Sequence, residues 1–271
     1  TSPSGTGWDN YSPSPSVKSY NYSNNTWVGA TNATDNLEQD KGWMVFIRGD
    51  RTVSGQWDPA KPTTLRSEGS LILGKKTITI PAKTGGFYAI GNPYASAVDV
   101  RLISALGTTG TFYIWNPNPL GKYDFGKYEA FTYLSGDYVS TDGGIINPAI
   151  INNYILSGQA FFGQTGTSSY NLDFEESAKA ETNTNIEYYR GNKEQEPVSV
   201  LSSRIFTSSG VPTDGTIQIF GREFTDEVDI ADARKLSNSG VNLSVKVGTA
   251  LLAVERRTSI SEKDTIFYNL S

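Results

Sequence analysis

The sequence predicts an all-β fold, an antiparallel β-sandwich or jelly-roll-like arrangement with one short helix near residues 226–236. Three observations support this fold class. The apolar runs are short, several alternate with a period of two residues, and Gly, Asn and Asp turn signals separate them. Aromatic residues make up 12% of the 271 residues, too many for a disordered chain. Many short strands with regular turns are typical of sandwiches and barrels.

The predicted strands are runs rich in β-branched and aromatic residues. In chain order they cover residues 43–47, 70–73, 76–80, 87–90, 98–103, 111–115, 128–134, 159–162, 198–205, 216–220, 241–247 and 250–254. In the run Lys76–Ile80, the Ile side chains point to one face and the Thr side chains to the other, as in a strand with one buried face. Gly-Asn, Asp-Gly and Gly-Gly pairs between runs predict the turns.

The predicted helix covers residues 226–236 (DEVDIADARKL). Acidic residues come early in this segment and basic residues come late, which complements a helix dipole. Val228, Ala231 and Leu236 have helical spacing. The segment is long enough for about two or three turns.

Composition shifts predict four regions. Residues 1–36 form a Tyr/Asn/Ser-rich N-terminal segment, and residues 37–174 form a first β-sandwich domain. Residues 175–197 are an acidic polar linker or one long loop, with a net charge of −3. Residues 198–271 are then either a second, smaller β-sandwich domain or a continuation of the first.

Composition excludes many kinds of chemistry. The chain has no His and no Cys, which excludes imidazole catalysis, thiolate nucleophiles, disulfides and His- or Cys-ligated metals. Its net charge of −5 argues against nucleic acid as a partner. The sequence has no run of about 18 apolar residues, so it predicts no membrane-spanning helix. The remaining options are carboxylate, Lys, Tyr, Ser or Thr chemistry and oxygen-bound calcium, and we expect the protein not to be an enzyme.

Asp226, Asp229 and Asp232 are the candidate metal ligands. Carboxylates three residues apart lie on one face of a helix, so these three could converge on Ca²⁺. Calcium usually takes about six to eight oxygens from a loop, and the segment lacks the EF-hand spacing. The alternative is an acidic first turn that complements the helix dipole. Calcium is the one cofactor that the sequence suggests.

Two groups of aromatic residues are candidate contact surfaces. Tyr20, Tyr22 and Trp27 lie among Ser and Asn, so we expect them at an interface with a neighbouring module or subunit, or stacked on a sugar. The second group is Trp115 with Tyr113 and Tyr123. Alternate aromatic residues on one strand mostly fill the core, so an inward orientation is favoured for Tyr113 and Trp115.

Carboxylate pairs could support glycoside hydrolysis, which does not require His. The candidate pairs are Asp124 with Glu129 and Asp173 with Glu175. The alternative, a set of solvated surface acids, is favoured. The segment 91–94 (GNPY) could be a functional loop, but Gly, Asn and Pro also specify a tight turn with positive φ at Gly and Asn.

An ordered series of motifs resembles one family of proteins. The series is GWMVFIRGDRT (42–52), TLRSEGSLILG (64–74), GGFYAIGNPYASAVD (85–99), FYIWNP (112–117), GKY (121–123), ILSGQAFF (155–162), NLDF (171–174), DGTIQIF (214–220), VDIADARKL (228–236), NLS (242–244), LLAVERR (251–257) and DTIFY (264–268). It resembles the C-terminal region of large secreted surface proteins of Bacteroidota that the type IX secretion system exports. The resemblance covers residues 40–271.

The resemblance implies an extracellular or outer-surface β-rich module, which in such proteins precedes a small sorting domain. Because the sequence starts at Thr1 and stops at Ser271 without that domain, we expect a mature or excised segment. The implied partners are other surface modules or subunits, a second copy of the chain, or glycans. The resulting hypothesis is a non-catalytic module for adhesion or structural assembly. A carbohydrate-binding module of a larger polysaccharide-degrading protein and a carboxylate-dependent glycoside hydrolase are the alternatives.

Short acceptor patterns suggest glycosylation. Thr265 in Asp264-Thr265-Ile266 is similar to the O-glycosylation acceptor of Bacteroidota, but such a short pattern often occurs by chance, and the alternative is an ordinary strand residue. Asn-x-Ser/Thr patterns occur at Asn21, Asn24, Asn32 and Asn242, and they matter only in a host that N-glycosylates.

Overall fold

The computed structural model describes residues 15–32, 36–46, 69–106, 110–116, 126–134, 137–141, 153–180 and 199–271. In chain order its strands are β1 (Val17–Asn21), β2 (Thr26–Gly29), β3 (Trp43–Val45), β4 (Lys76–Ile80), β5 (Phe87–Gly91), β6 (Val98–Asp99), β7 (Thr111–Asn116), β8 (Lys127–Leu134), β9 (Asp137–Ser140), β10 (Tyr154–Ile155), β11 (Ala160–Gln164), β12 (Tyr170–Phe174), β13 (Ser199–Phe206), β14 (Pro212–Phe220), β15 (Ala233–Arg234), β16 (Leu243–Val247), β17 (Ala250–Arg257) and β18 (Tyr268–Leu270). Within the described residues, the helical elements are two short 3-10 turns, Val100–Leu102 and Glu176–Ala178. The all-β prediction is confirmed.

The central sheet has five strands in the order β5-β11-β7-β8-β9, and every neighbouring pair is antiparallel. One face packs against the two-stranded sheet of β4 and β12. The alternation predicted for β4 is confirmed, because Ile78 and Ile80 are buried in this core while Thr77 and Thr79 are exposed. The core cluster also contains Leu172, Phe174, Phe112, Phe131 and Phe161.

The opposite face of the central sheet is buried as well. Phe87, Tyr113, Ala130 and Phe162 from this face share a hydrophobic cluster with Ile217, Ile219, Ala233, Ala253 and Val254 from the C-terminal sheet. A sheet covered on both faces makes three layers of strands. Residues 199–271 therefore share a core with the preceding part of the chain.

The C-terminal sheet has the strand order β13-β14-β17-β16-β18, and β15 also pairs with β17. One pair of strands in this sheet is parallel: β14 runs beside β17 with Ile217 opposite Val254. The edge strands β13 and β18 approach each other, since the Tyr268 hydroxyl lies 2.7 Å from the Ser203 hydroxyl. The sheet is therefore strongly curled.

The N-terminal segment forms an antiparallel sheet in the order β2-β1-β3. The β1–β2 turn contains Asn25 with a φ of 57°, a left-handed conformation that Asn tolerates better than most residues. The structure describes residues 15–32 and 36 of the predicted N-terminal segment 1–36, and residues 175–180 of the predicted acidic stretch 175–197. Within the described ranges, no helix is long and apolar enough to cross a membrane.

The prediction of a helix at residues 226–236 is wrong. Residues 225–232 form an irregular segment, here called the acidic loop, and β15 follows it. Asp229 accepts a hydrogen bond from the backbone N–H of Ala231 at 2.7 Å, and Asp232 accepts one from the N–H of Asp229 at 3.0 Å. Short Asp side chains that bind nearby backbone N–H groups compete with helical hydrogen bonds.

Candidate functional site

The acidic loop holds the three candidate calcium ligands, and each carboxylate is bound by protein donors. Asp226 accepts hydrogen bonds from the hydroxyl and N–H of Thr258, at 2.6 and 3.3 Å. Asp232 accepts from the N–H of Asp229 and, at 2.7 Å, from the N–H of Arg256 in β17. Asp232 thus attaches the loop to β17, and Asp226 attaches it to Thr258, the residue after β17.

The structure does not gather these carboxylates into a metal-binding group. Among the described residues, no three Asp or Glu side chains are arranged to hold a metal ion. The geometric reason for expecting calcium was a shared helix face, and the helix is not formed. The carboxylates of Asp226, Asp229 and Asp232 instead close the acidic loop and fix its ends.

Glu255 lies beneath the acidic loop, and sequence reasoning missed it. Its side chain is 5% exposed, and Arg257 Nη1 lies 3.6 Å from its Oε1. Its Oε2 has no hydrogen-bond partner. Burial raises the pKa of Glu255 above the ordinary value. A glutamate that directly continues the apolar run of a predicted strand is the signal that could have identified it.

Tyr20 and Trp27 lie against the central sheet of the same chain. Their rings contact each other at 5.3 Å between centroids, and both meet Phe162 edge-on, at 4.9 and 5.7 Å. The Trp27 indole N–H donates to the Tyr128 hydroxyl at 3.2 Å. Burial raises the pKa of Tyr20 to about 12. These two side chains thus attach the β1–β2 hairpin to the hydrophobic cluster between the central and C-terminal sheets, here called the second core.

Tyr22 and the turn of the hairpin are fixed by one lysine. The Lys83 ammonium group donates to the carbonyl oxygens of Tyr22 and Ser23 and to Asn25 Oδ1, the last at 2.9 Å. The Tyr22 ring lies 5.5 Å from the Tyr88 ring. Three acceptors match the three donors of an ammonium group. The hairpin turn therefore binds the ammonium group of Lys83, which lies in the loop after β4.

Replacing Lys83 with Met should loosen the hairpin. The substitution keeps the aliphatic stem and removes three charge-assisted hydrogen bonds, so we expect a loss of about 1.5–3 kcal/mol of unfolding free energy. Urea denaturation measures the loss, and hydrogen exchange in β1 and β2 locates it. Lys246→Met, at an exposed position of β16, is the matched control. Equal effects of the two substitutions would contradict the role given to Lys83.

The second aromatic group divides between core and surface. Tyr113 is fully buried, and its hydroxyl donates to the Arg234 carbonyl at 2.6 Å, so its predicted inward orientation is confirmed. Trp115, on the same strand, is only partly buried and contacts Tyr128 at 4.7 Å. Tyr123 lies outside the described residues. Trp115 and Tyr113 therefore do not form one exposed platform.

The candidate carboxylates in the described part of the chain are engaged in local contacts. Asp124 lies outside the described residues, and its predicted partner Glu129 is buried and accepts a hydrogen bond from the Ser140 hydroxyl. Lys75 bridges the other pair, at 2.9 Å from Asp173 and 3.1 Å from Glu175. Hydrogen bonds from Thr77 and Lys75 lower the pKa of Asp173, whereas a general acid needs a raised pKa.

The segment 91–94 is structural. The Asn92 side chain is buried and donates to the carbonyl oxygens of Ser96, Ile155 and Leu156, while its oxygen accepts from the N–H of Tyr94. Positive φ, which was predicted for the Gly and Asn, occurs at neither. A Cβ at Gly91 would lie 2.9 Å from the Lys41 carbonyl oxygen, so close packing explains this glycine.

The candidate glycosylation residues differ in accessibility. Thr265 is exposed and precedes β18, so it is not a strand residue. Asn21, Asn24 and Asn32 are exposed, whereas the Asn242 amide donates to the carbonyl oxygens of Asn238 and Gly240. Thr265 thus remains a candidate acceptor on accessible backbone.

Comparison with known proteins gives one family. The family model described as "Domain of unknown function (DUF8693)" matches residues 2–270. The chain belongs to this DUF8693 family. No curated protein and no solved structure matches it.

This DUF8693 domain has an exposed sheet edge whose features the sequence did not reveal. Strand β13 pairs only with β14 among the described strands, and six of its eight residues are exposed. Val200, Leu201 and Phe206 are 43%, 40% and 54% exposed, and Arg204 is the only charged residue in the strand. Edge strands usually carry Lys, Pro or short lengths that discourage pairing. The run 198–205 was predicted as a strand, but nothing local distinguishes an edge strand from a central one.

Proposed function

We propose that this DUF8693 domain is a non-catalytic extracellular module for adhesion or structural assembly. The observation that carries the proposal is the long, weakly charged and exposed edge strand β13. An unpaired strand edge offers a row of backbone N–H and C=O groups to another extended chain, and exposed apolar side chains add contact area. Phe267 and Leu270 at the other edge of the sheet are also strongly exposed.

The extracellular location and the export route rest on the motif series that resembles secreted surface proteins of Bacteroidota. The chain has no Cys, so its stability depends on packed layers of strands and not on disulfides. The absence of disulfides does not argue against an extracellular location. The partners would be other surface modules, a second copy of the chain, or glycans.

Leu201→Lys should weaken assembly. A lysine in the centre of β13 places a charge where a partner strand would pair, so we expect at least about a tenfold loss of association, or about 1.4 kcal/mol. Sedimentation velocity over a range of protein concentrations measures self-association, and adherence of domain-coated beads to bacterial cells measures contact with other surface modules.

Thr249→Lys, at an exposed turn between β16 and β17, is the matched control for added charge. Association or adherence that is the same for both lysine variants would contradict the assignment to β13. Saturable binding of a single glycan class on a glycan array would instead favour the carbohydrate-binding alternative.

A further inference from the structure

Glu255 lines a small depression beneath the acidic loop. Residues 225–228 and Asp232 of the loop line this depression, together with Val247 and Arg256. The space is too small to admit a water molecule. The unpartnered Oε2 of Glu255 therefore has no donor from the protein and no room for one from solvent. A buried ionised oxygen without a donor is costly.

The charges around Glu255 do not balance an ionised carboxylate. The Arg257 guanidinium, 3.6 Å away, is shared with Asp226, whose Oδ1 lies 3.7 Å from Arg257 Nε. Asp232 is a further negative neighbour that raises the pKa of Glu255. The Arg257 guanidinium is thus shared between Glu255 and Asp226, while Asp232 adds a further negative charge near Glu255.

The remaining charged groups around the depression do not supply the missing donor. The Arg256 guanidinium donates to the Ala231 carbonyl and, at 2.7 Å, to the Thr132 hydroxyl. Glu227 contributes another negative charge to the lining, and Asp229 is bound to the Ala231 N–H. Protonation of Glu255 removes the cost of the buried charge without any movement of the chain.

The acidic loop is attached in a way that permits it to move. Its ends are fixed by the contacts of Asp226 with Thr258 and of Asp232 with the Arg256 N–H. Between them, Val228 is the residue that packs against a core cluster, and Ile230 is 92% exposed. The strand pairing of β17 with β14 and β16 does not depend on the loop.

We propose that the acidic loop is a pH-controlled cover over Glu255, closed over the protonated carboxyl group and opened when that group ionises. In the closed state, burial raises the pKa of Glu255 from its ordinary 4.5. The closed state is therefore most stable at and below the ordinary value. The stability of the closed state falls as the pH rises from the ordinary pKa of Glu255 to its raised pKa. At still higher pH the stability is constant.

Hydrogen exchange followed by mass spectrometry tests the cover in the full chain. Protection factors for peptides spanning residues 222–232 are compared at pH 5 and pH 8, after correction for intrinsic exchange. We expect a measurable loss of protection at the higher pH, and its size increases with the amount by which burial raises the pKa of Glu255. Protection in β14 should not change.

Glu255→Gln removes the charge at nearly constant shape, and Glu255→Met removes it without adding a donor. Either variant should retain the protection seen at pH 5 when measured at pH 8. Glu38→Gln, which neutralises an exposed carboxylate elsewhere, should behave as the wild-type protein. The proposal is overturned if wild-type protection is independent of pH, or if both neutral variants keep the wild-type pH dependence.

Discussion

Lys235→Met is expected to lower the free energy of unfolding by about 3–5 kcal/mol, because it leaves a buried carboxylate without its cation. Lys235 Nζ lies 2.6 Å from Asp214 Oδ1, and the two side chains are only 5% and 4% exposed. The other carboxylate oxygen accepts from the Leu243 N–H at 2.6 Å. Asp214 thereby connects β14, the start of β16 and the residue after β15. Urea denaturation, monitored by intrinsic fluorescence, measures the loss.

The double variant Asp214→Asn with Lys235→Met distinguishes a charge effect from a packing effect. The Asn oxygen can still accept from the Leu243 N–H, and no unpaired charge remains. The double variant should therefore regain much of the stability that the single Lys235→Met substitution loses. If both variants are equally destabilised, the loss comes from packing, and the electrostatic account of the pair is wrong.

The strand pattern was predictable where burial imposes a local period. Ile78 and Ile80 alternate with Thr77 and Thr79 because one face of β4 covers the core and the other meets water. The inward orientation of Tyr113 follows from the same rule. These features depend on neighbours one or two residues away, so the sequence contains them.

Contacts between distant residues decided the features that were not predictable. The charge order of residues 226–236 is compatible with a helix, but Asp232 accepts from the N–H of Arg256, 24 residues later. Lys83 donates to the carbonyl oxygen of Tyr22, 61 residues earlier, and so fixes the hairpin turn. Local propensity is a weak signal that such tertiary contacts override. The covering of the central sheet on both faces also arises from pairing at long range.

The candidate sites follow the same division. The acidity of residues 226–232 was visible in the sequence, whereas the burial of Glu255 beneath them depends on how β17 meets the acidic loop. Tyr20 and Trp27 were predicted to contact a neighbouring module, a subunit or a sugar, but they pack against the central sheet of their own chain. Their partner Phe162 lies more than a hundred residues away and became evident only in the folded chain.

Phe162→Ala is the second substitution with a large expected effect. Phe162 is 5% exposed and lies in β11 at the centre of the second core, where it meets Tyr20, Trp27 and Tyr128 edge-on. Truncating a buried Phe removes its transfer free energy and leaves a cavity, which costs about 3–5 kcal/mol. We therefore expect a loss of this size in chemical denaturation, together with weaker hydrogen-exchange protection in β1 and β2.

Two comparisons isolate the role of Phe162 in joining the layers. Phe267→Ala, at a position that is 64% exposed, should change the unfolding free energy by less than about 0.5 kcal/mol. Phe162→Leu retains much of the volume and should keep most of the stability, because the hairpin still meets an apolar surface. A hairpin that stays fully protected in Phe162→Ala would show that its other contacts, including the hydrogen bonds from Lys83 and the pairing of β1 with β3, are sufficient to hold it. In that case the aromatic cluster would contribute to the core without attaching the N-terminal sheet.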